Sequence, residues 1–417
     1  MHLVERLADW AVSFREAPLS KGVVHHARRA VIDWHAALYP GMVVPPVTLM
    51  KKAFSGEAES PRLKALVEGT AAHTVEVDDI FRDGIYHPGA PTIAAANVFS
   101  KDVSLRAVVV GYEISTRIGA AMGKAHYKHW HNTGTIGAFG GAAAAAEALQ
   151  LDRGQFAHAL ATVATFAAGL QQAFRMDSMS KPLHAGRAAE AGVAAALMAR
   201  EGVTGSLDVM AGFAAAMGDK AAFDASMERG LATLGKDFHI TRMTFKNHAC
   251  CGHTFAAIDG ALEVKKRLKI EAAEIDKVEI ATYRAGLEVA HYDEPRTPAE
   301  GRFSLKYVVA TALTHGSVRL AAFSPERLSS ADTRAVMRKT SVRLDPELEA
   351  AFPAQRAARV AITAGGRREE WLQPTRIGDP EMPLSDRALE EKYLELVVPV
   401  LGEARAREVL HRLWRLE

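Results

Sequence analysis

Four short stretches of the chain concentrate side chains that could move protons or hold anions. The first is HTVEVDDIFRDGIYHPG, residues 73–89, which sets Glu76, Asp78, Asp79 and Asp83 close to His73 and His87. Carboxylates near imidazoles hold a tautomer or share proton transfer. His87-Pro88-Gly89 places its histidine on a rigid turn. A solvated acidic loop after a helix is the plain alternative. The second stretch, residues 126–149, reads HYKHWHNTGTIGAFGGAAAAAEAL. Its histidines at 126, 129 and 131 match no standard zinc spacing and no cysteine lies near, so no metal is expected. A surface loop is expected there, with His131, beside the helix start, as the candidate. The third, SMSKPLHAGRAAEAG at 178–192, spaces Lys181, His184 and Arg187 three residues apart. On a helix these share a face and would clamp carboxylates. The fourth, FKNHACCGHTFAAIDGA at 245–261, has His253 ahead of an apolar helix. Cys250 and Cys251 are read as small buried side chains rather than a nucleophile or metal ligands. Further on, RFSLKYVVATAL puts Tyr307 at a helix start, where a phenol could donate a proton; a core tyrosine is the alternative.

Helices must carry most of these groups. Gly134, Gly137 and Gly141 recur on one helical face. Each costs about 1 kcal/mol against alanine, which suggests close packing by a second helix. Thr133 is the expected cap of that helix, whose free N–H groups would suit an anion. Residues 2–16 line up Leu3, Leu7, Trp10, Ala11 and Phe14, and residues 21–38 repeat the pattern. YPGMVVPP is expected to break it. Helices follow at 61–73, 90–99 and 104–122, the last capped by Ser104. Asp152 caps another, expected to reach residue 174; others cover 184–201 and start at Ser206. Near residue 268 the period changes to two: IDKVEIATY, SVRLDP and ARVAIT alternate, with Gly365-Gly366 as a hairpin turn. Residues 303–315 and 330–338 read as helices, and the tail from Ser385 is helical again. The expected fold is mainly α with an α+β part: a large all-helical domain over 1–267, with 385–417 packing back on it, and a smaller α/β domain over 268–384.

With 417 residues the chain is long enough for two domains. Its 48% hydrophobic and 24% charged residues are an ordinary globular balance. A net charge of +2 gives no global field for nucleic acid or an anionic membrane. The two cysteines are sequence neighbours, which suits a reduced, cytoplasmic setting better than a disulfide. MHLVERLADWAVSF has early acids and no uninterrupted apolar core, so no signal peptide is expected, and no stretch reads as a membrane span. GAFGGA lacks the context of a phosphate-binding loop, and there is no Gly-x-Ser-x-Gly elbow.

Taken in order, HTVEVDDI with HPG, HNTGTIGAFGGAAAAA, SKPLHAGRAAEAG, CCGHTFAAIDGAL and FSLKYVVATAL resemble the motifs of the MmgE/PrpD family. GDPEMPLS followed by Lys392 and Tyr393 resembles its C-terminal signature. The resemblance covers nearly the whole chain. It implies an all-helical domain joined to a smaller α/β domain, a homodimer, small di- or tricarboxylate substrates, and no obligatory metal or other cofactor. Matched by motif, the implied active-site positions are Glu76 or Asp79, His87, His131, Lys181, His253 and Tyr307. The catalytic candidates are therefore His131, Lys181, His87, His253, Tyr307 and Asp79. The substrate-binding candidates are Glu76, Asp78, His184 and Arg187. The chain has Glu76 where the family's decarboxylase has aspartate, and Asn132 where it has proline. The expected activity is a hydro-lyase like 2-methylcitrate dehydratase, removing a proton next to a carboxylate. The alternatives are an epimerase acting on iminodisuccinate or a decarboxylase acting on cis-aconitate, both within the family. A non-catalytic, metabolite-binding helical protein is the alternative of another class.

Overall fold

A computed structural model describes residues 1–174, 178–352 and 354–417. The chain divides into two compact units. One comprises residues 1–244 with 385–417, and the other residues 245–384.

The first unit is helical, with isolated bridges such as Ile80 to Thr244 in place of strands among the described residues. Its helices start where side chains can satisfy free backbone N–H groups. Ser20, Ser60, Ser104 and Ser385 each accept an amide hydrogen bond at a helix start. Asp152 and Gln155 form a reciprocal capping box. At the centre lies the glycine-rich helix Asn132–Ala148, buried along almost its whole length. It packs on the helix Ser180–Arg200, and the glycines set the distance. A Cβ at Gly192 would stand 2.4 Å from the Ala142 nitrogen, and one at Gly141 would stand 3.2 Å from the Ala188 oxygen. The small-residue face thus has the packing reason its cost required.

Several local expectations change. The helix Lys21–Gly41 runs through Pro40 and Gly41 instead of stopping before them. Proline removes one hydrogen bond near the end. That loss is offset by contact with the helix Pro61–Thr74, so close that a Cβ at Gly41 would fall 2.0 Å from the Ala71 oxygen. The cap position of the central helix is His131, not Thr133; the Thr133 hydroxyl accepts the His87 amide at 3.2 Å. The helix after Asp152 is Arg153–Ala164, so it ends well before residue 174. Asp208, rather than Ser206, precedes the helix Val209–Met217.

The second unit is built on a mixed sheet in the order β2-β1-β3-β4. Strand β1 (Ile275–Thr282) runs parallel to β2 (Thr340–Leu344), with Val278 opposite Thr340. It runs antiparallel to β3 (Ala358–Ala364), with Val278 opposite Ile362. Gly365-Gly366, at φ of 53° and 77°, turns β3 into β4 (Arg367–Gln373). Val278 and Ile280 are buried while Lys277 is exposed, as the alternation requires. The helix Phe255–Leu268 packs on β3 and β4. It therefore belongs to this unit and not to the helical one, which moves the boundary to 244/245. The helix Asp386–Leu401 lies on Lys21–Gly41 in the first unit.

Candidate active site

Four segments of the first unit bring imidazoles together. His73 lies in the last turn of Pro61–Thr74 and is fully buried. The chain then turns sharply at Glu76, whose φ of 62° is left-handed and costs a non-glycine residue about 1 kcal/mol or more. This turn sends the Glu76 carboxylate to Lys181 Nζ, with which it forms an ion pair. Asp78 then faces back to His73, with Oδ2 accepting from Nδ1 at 2.7 Å. His87 Nδ1 stands 3.1 Å from the same oxygen. The His73 ring meets His87 edge-on at 4.7 Å and stacks on His131 at 5.4 Å. His131 Nδ1 in turn lies 2.9 Å from His184 Nδ1. Lys181 and His184 stand one turn apart at the start of Ser180–Arg200. Room for His184 comes from Gly169, where a Cβ would stand 3.1 Å from the ring nitrogen.

Burial governs the charge state of three of these rings, His73, His131 and His184. It pushes His73 down to about 4, although Asp78 works against it. It holds His131 well below the ordinary value, helped by His73 and the Lys181 charge, and it lowers His184 as well. The His131–His184 contact therefore joins neutral rings, one donating and the other accepting. Burial opposes ionisation of Asp78, but His87 and His73 together outweigh it and keep the carboxyl well below its usual range. An ionised carboxylate, a Lys–Glu pair and neutral imidazoles can bind an anion and pass a proton. His73, Asp78 and His87 offer ligand atoms within 4.8 Å of one another. The 2.7 Å separation of His73 from Asp78 is that of a charge-assisted hydrogen bond, and the nearby Lys181 charge disfavours a cation there.

The other expected residues go elsewhere. Asp79, expected to be catalytic, is buried among helices. Its Oδ2 accepts from Tyr112 at 2.7 Å and its Oδ1 from the Gly89 amide at 3.0 Å. It props the His87-Pro88-Gly89 turn from behind. Burial first, then Asp33 and Asp78, push its carboxyl up to about 8. Its folded pKa thus exceeds the unfolded value of 3.8, so its contribution to stability is lost as pH rises through about 8. His73, depressed from 6.5 to about 4, loses its contribution in the opposite direction, as pH falls. Between about pH 6.5 and 8 the Asp79 effect stands clear of the His73 one. Stability should fall there by up to about 1.4 kcal/mol per pH unit, and Asp79→Asn should flatten that slope in urea melts. An unchanged slope would show Asp79 to be ionised.

Arg187, expected to bind substrate, is exposed and pairs with Glu190, which also holds Arg62. His126 uses both nitrogens, on the Met217 carbonyl and the Thr135 hydroxyl, while His129 is exposed. The three histidines of that stretch therefore form no common site, and His131 is buried rather than part of a surface loop. His253 and Tyr307 belong to the second unit. His253 Nδ1 lies 2.9 Å from the Tyr283 hydroxyl, and burial pushes it down to about 4. Tyr307 is fully buried and its hydroxyl donates to the Ala322 carbonyl, as a framework tyrosine would. Burial pushes the Cys250 thiol up to about 12, which removes it as a nucleophile. In the sequence His73 stands out only as a neighbour of the acids, and nothing marks Tyr283. A histidine in a helix's last turn and a strand-end tyrosine carry no distinctive spacing.

Fold and site define a two-unit, mainly helical protein with a buried histidine–carboxylate cluster beside a lysine. The model of the MmgE/PrpD N-terminal domain matches residues 5–226, and that of the MmgE/PrpD C-terminal domain matches residues 248–416. The chain belongs to the MmgE/PrpD family. It is 26% identical to the cis-aconitate decarboxylase-like protein oryM of Aspergillus oryzae, over 100% of this chain and 95% of that protein. It is likewise 26% identical to the cis-aconitate decarboxylase of Homo sapiens, over 94% of this chain and 87% of the human one. No helix among the described residues is long and apolar enough to cross a membrane.

Proposed function

We propose that the chain is a lyase acting on a small di- or tricarboxylate by proton transfer at a carbon next to a carboxylate. The observation that carries this reading is the Lys181–Glu76 pair, set one helical turn from the His131–His184 contact. Removing a proton beside a carboxylate develops enediolate-like charge, which a nearby cation and imidazole N–H groups stabilise. Lys181 and His184 bind the substrate carboxylate and carry that charge. Glu76 holds Lys181 in place rather than touching the substrate, because two carboxylates would repel. An imidazole of the cluster takes the proton. In a hydroxy acid the step ends with loss of hydroxide from the neighbouring carbon, which makes the chain a hydro-lyase.

Decarboxylation is the second reading, favoured by relatives named as cis-aconitate decarboxylases that match nearly the whole chain. The same groups would then stabilise the carbanion left by carbon dioxide and return a proton to it. Four acids separate the outcomes: citrate, 2-methylcitrate, cis-aconitate and iminodisuccinate. An unsaturated acid formed from either hydroxy acid is the expected result. Carbon dioxide from cis-aconitate selects the second reading, and inversion of iminodisuccinate without an unsaturated product selects an epimerase. Turnover of none of the four contradicts the assignment.

A further inference from the structure

Asp78 uses only one of its two oxygens. Oδ1 is buried and receives no hydrogen bond, while Oδ2 takes His73 Nδ1 at 2.7 Å and has His87 Nδ1 at 3.1 Å. The His87 contact lies off the hydrogen-bond line in this arrangement, and that buried nitrogen has no other partner. A carboxylate can only accept, so each ring nitrogen facing it must carry a hydrogen. In a neutral imidazole that places the lone pair on Nε2.

The two rings then differ in access. His73 is wholly buried and its Nε2 meets no partner. His87 keeps 14% of its side-chain surface exposed while its Nδ1 is sealed, and its Nε2 is not among the buried nitrogens that lack a partner. The backbone on both sides is braced. The His87 amide donates to Thr133 Oγ1, the Gly89 amide to Asp79 Oδ1, and the Val77 carbonyl accepts Lys392 Nζ at 2.6 Å.

We propose that Asp78 is a positioning residue, not a substrate ligand: its single shared oxygen fixes His73 and His87 in the Nδ1–H tautomer and leaves His87 Nε2 as the site's proton acceptor. His73 is the brace. Its ring lies edge-on to His87 and stacked on His131, and its own bond to Asp78 holds the carboxylate still. The part given to His87 rests on the proton-transfer reading above; the tautomer assignment does not.

The test is a long-range proton–nitrogen correlation spectrum of the full chain with nitrogen-15-labelled histidine at neutral pH. His73→Gln and His87→Gln assign the signals. Both rings should show a protonated Nδ1 and a bare Nε2. In Asp78→Asn that pattern should be lost at His87, and kcat should fall by about 10²- to 10⁴-fold with KM little changed. An Nε2–H tautomer at His87 in the unaltered protein overturns the proposal, and so does an Asp78→Asn variant that keeps its kcat. Should Asp78→Asn fail to fold, the spectrum of the unaltered protein decides alone. If the tautomers are as stated but no carboxylic acid is turned over, the positioning stands and the reaction assignment falls.

Discussion

Lys181→Ala is expected to lower kcat on the best carboxylate substrate by about 10²- to 10⁴-fold while the fold survives. Lys181 is the cation whose charge reaches both His73 and His131. Its side chain stays partly accessible, at 17% exposure. A substrate carboxylate can reach it, and charge developing there would lose its nearest fixed counter-charge in the variant. The cost to stability should be small. Glu76, left behind, keeps 27% of its side chain in solvent, and a pair so exposed contributes about 1 kcal/mol or less. Circular dichroism and a urea melt establish that the variant folds, and kcat then reads the chemistry. A folded variant with unchanged kcat would remove Lys181 from the reaction.

The second large effect is on stability. Lys392→Ala is expected to cost about 3–5 kcal/mol in a urea melt. Lys392 and Asp33 are each about 1% exposed and meet at 2.6 Å, joining Asp386–Leu401 to Lys21–Gly41. Removing the amine leaves Asp33 buried without its counter-charge and frees the Val77 carbonyl, which lies between Glu76 and Asp78. Burial already pushes Asp33 up to about 6 against the pull of Lys392. Asp33→Asn should therefore recover part of the loss when added to Lys392→Ala, giving a positive coupling in the double-mutant cycle. A loss below about 1 kcal/mol would show that the pair barely exceeds its own desolvation cost.

These two sites show where sequence reasoning succeeds and where it stops. Helical spacing alone places Lys181 and His184 together at the start of Ser180–Arg200, without knowledge of any partner. The glycine face of Asn132–Ala148 was readable because three costly residues at one spacing demand close packing. Asp78 and Asp79 could not be told apart, since the positive φ at Glu76 decides which neighbour turns toward the imidazoles. The Lys392–Asp33 pair spans 359 residues, beyond any local pattern. The Gly365-Gly366 turn implies a strand after it, but RREEWLQ shows no apolar alternation of its own because it is charged, as an edge strand that resists further pairing tends to be. The helix Phe255–Leu268 was recognisable as a helix, but periodicity does not say which face of the protein it covers, and it proved to cover β3 and β4.

Solvent exchange tests proton transfer next to a carboxylate most directly. The chain would be incubated in deuterium oxide with the best of the four acids, and recovered substrate and product read by proton NMR. One hydrogen should leave the carbon next to a carboxylate, and substrate re-formed from product should carry deuterium there, at a rate that collapses in Lys181→Ala. Substrate re-formed from product without deuterium at that carbon would contradict proton transfer, as would exchange that proceeds equally well without Lys181.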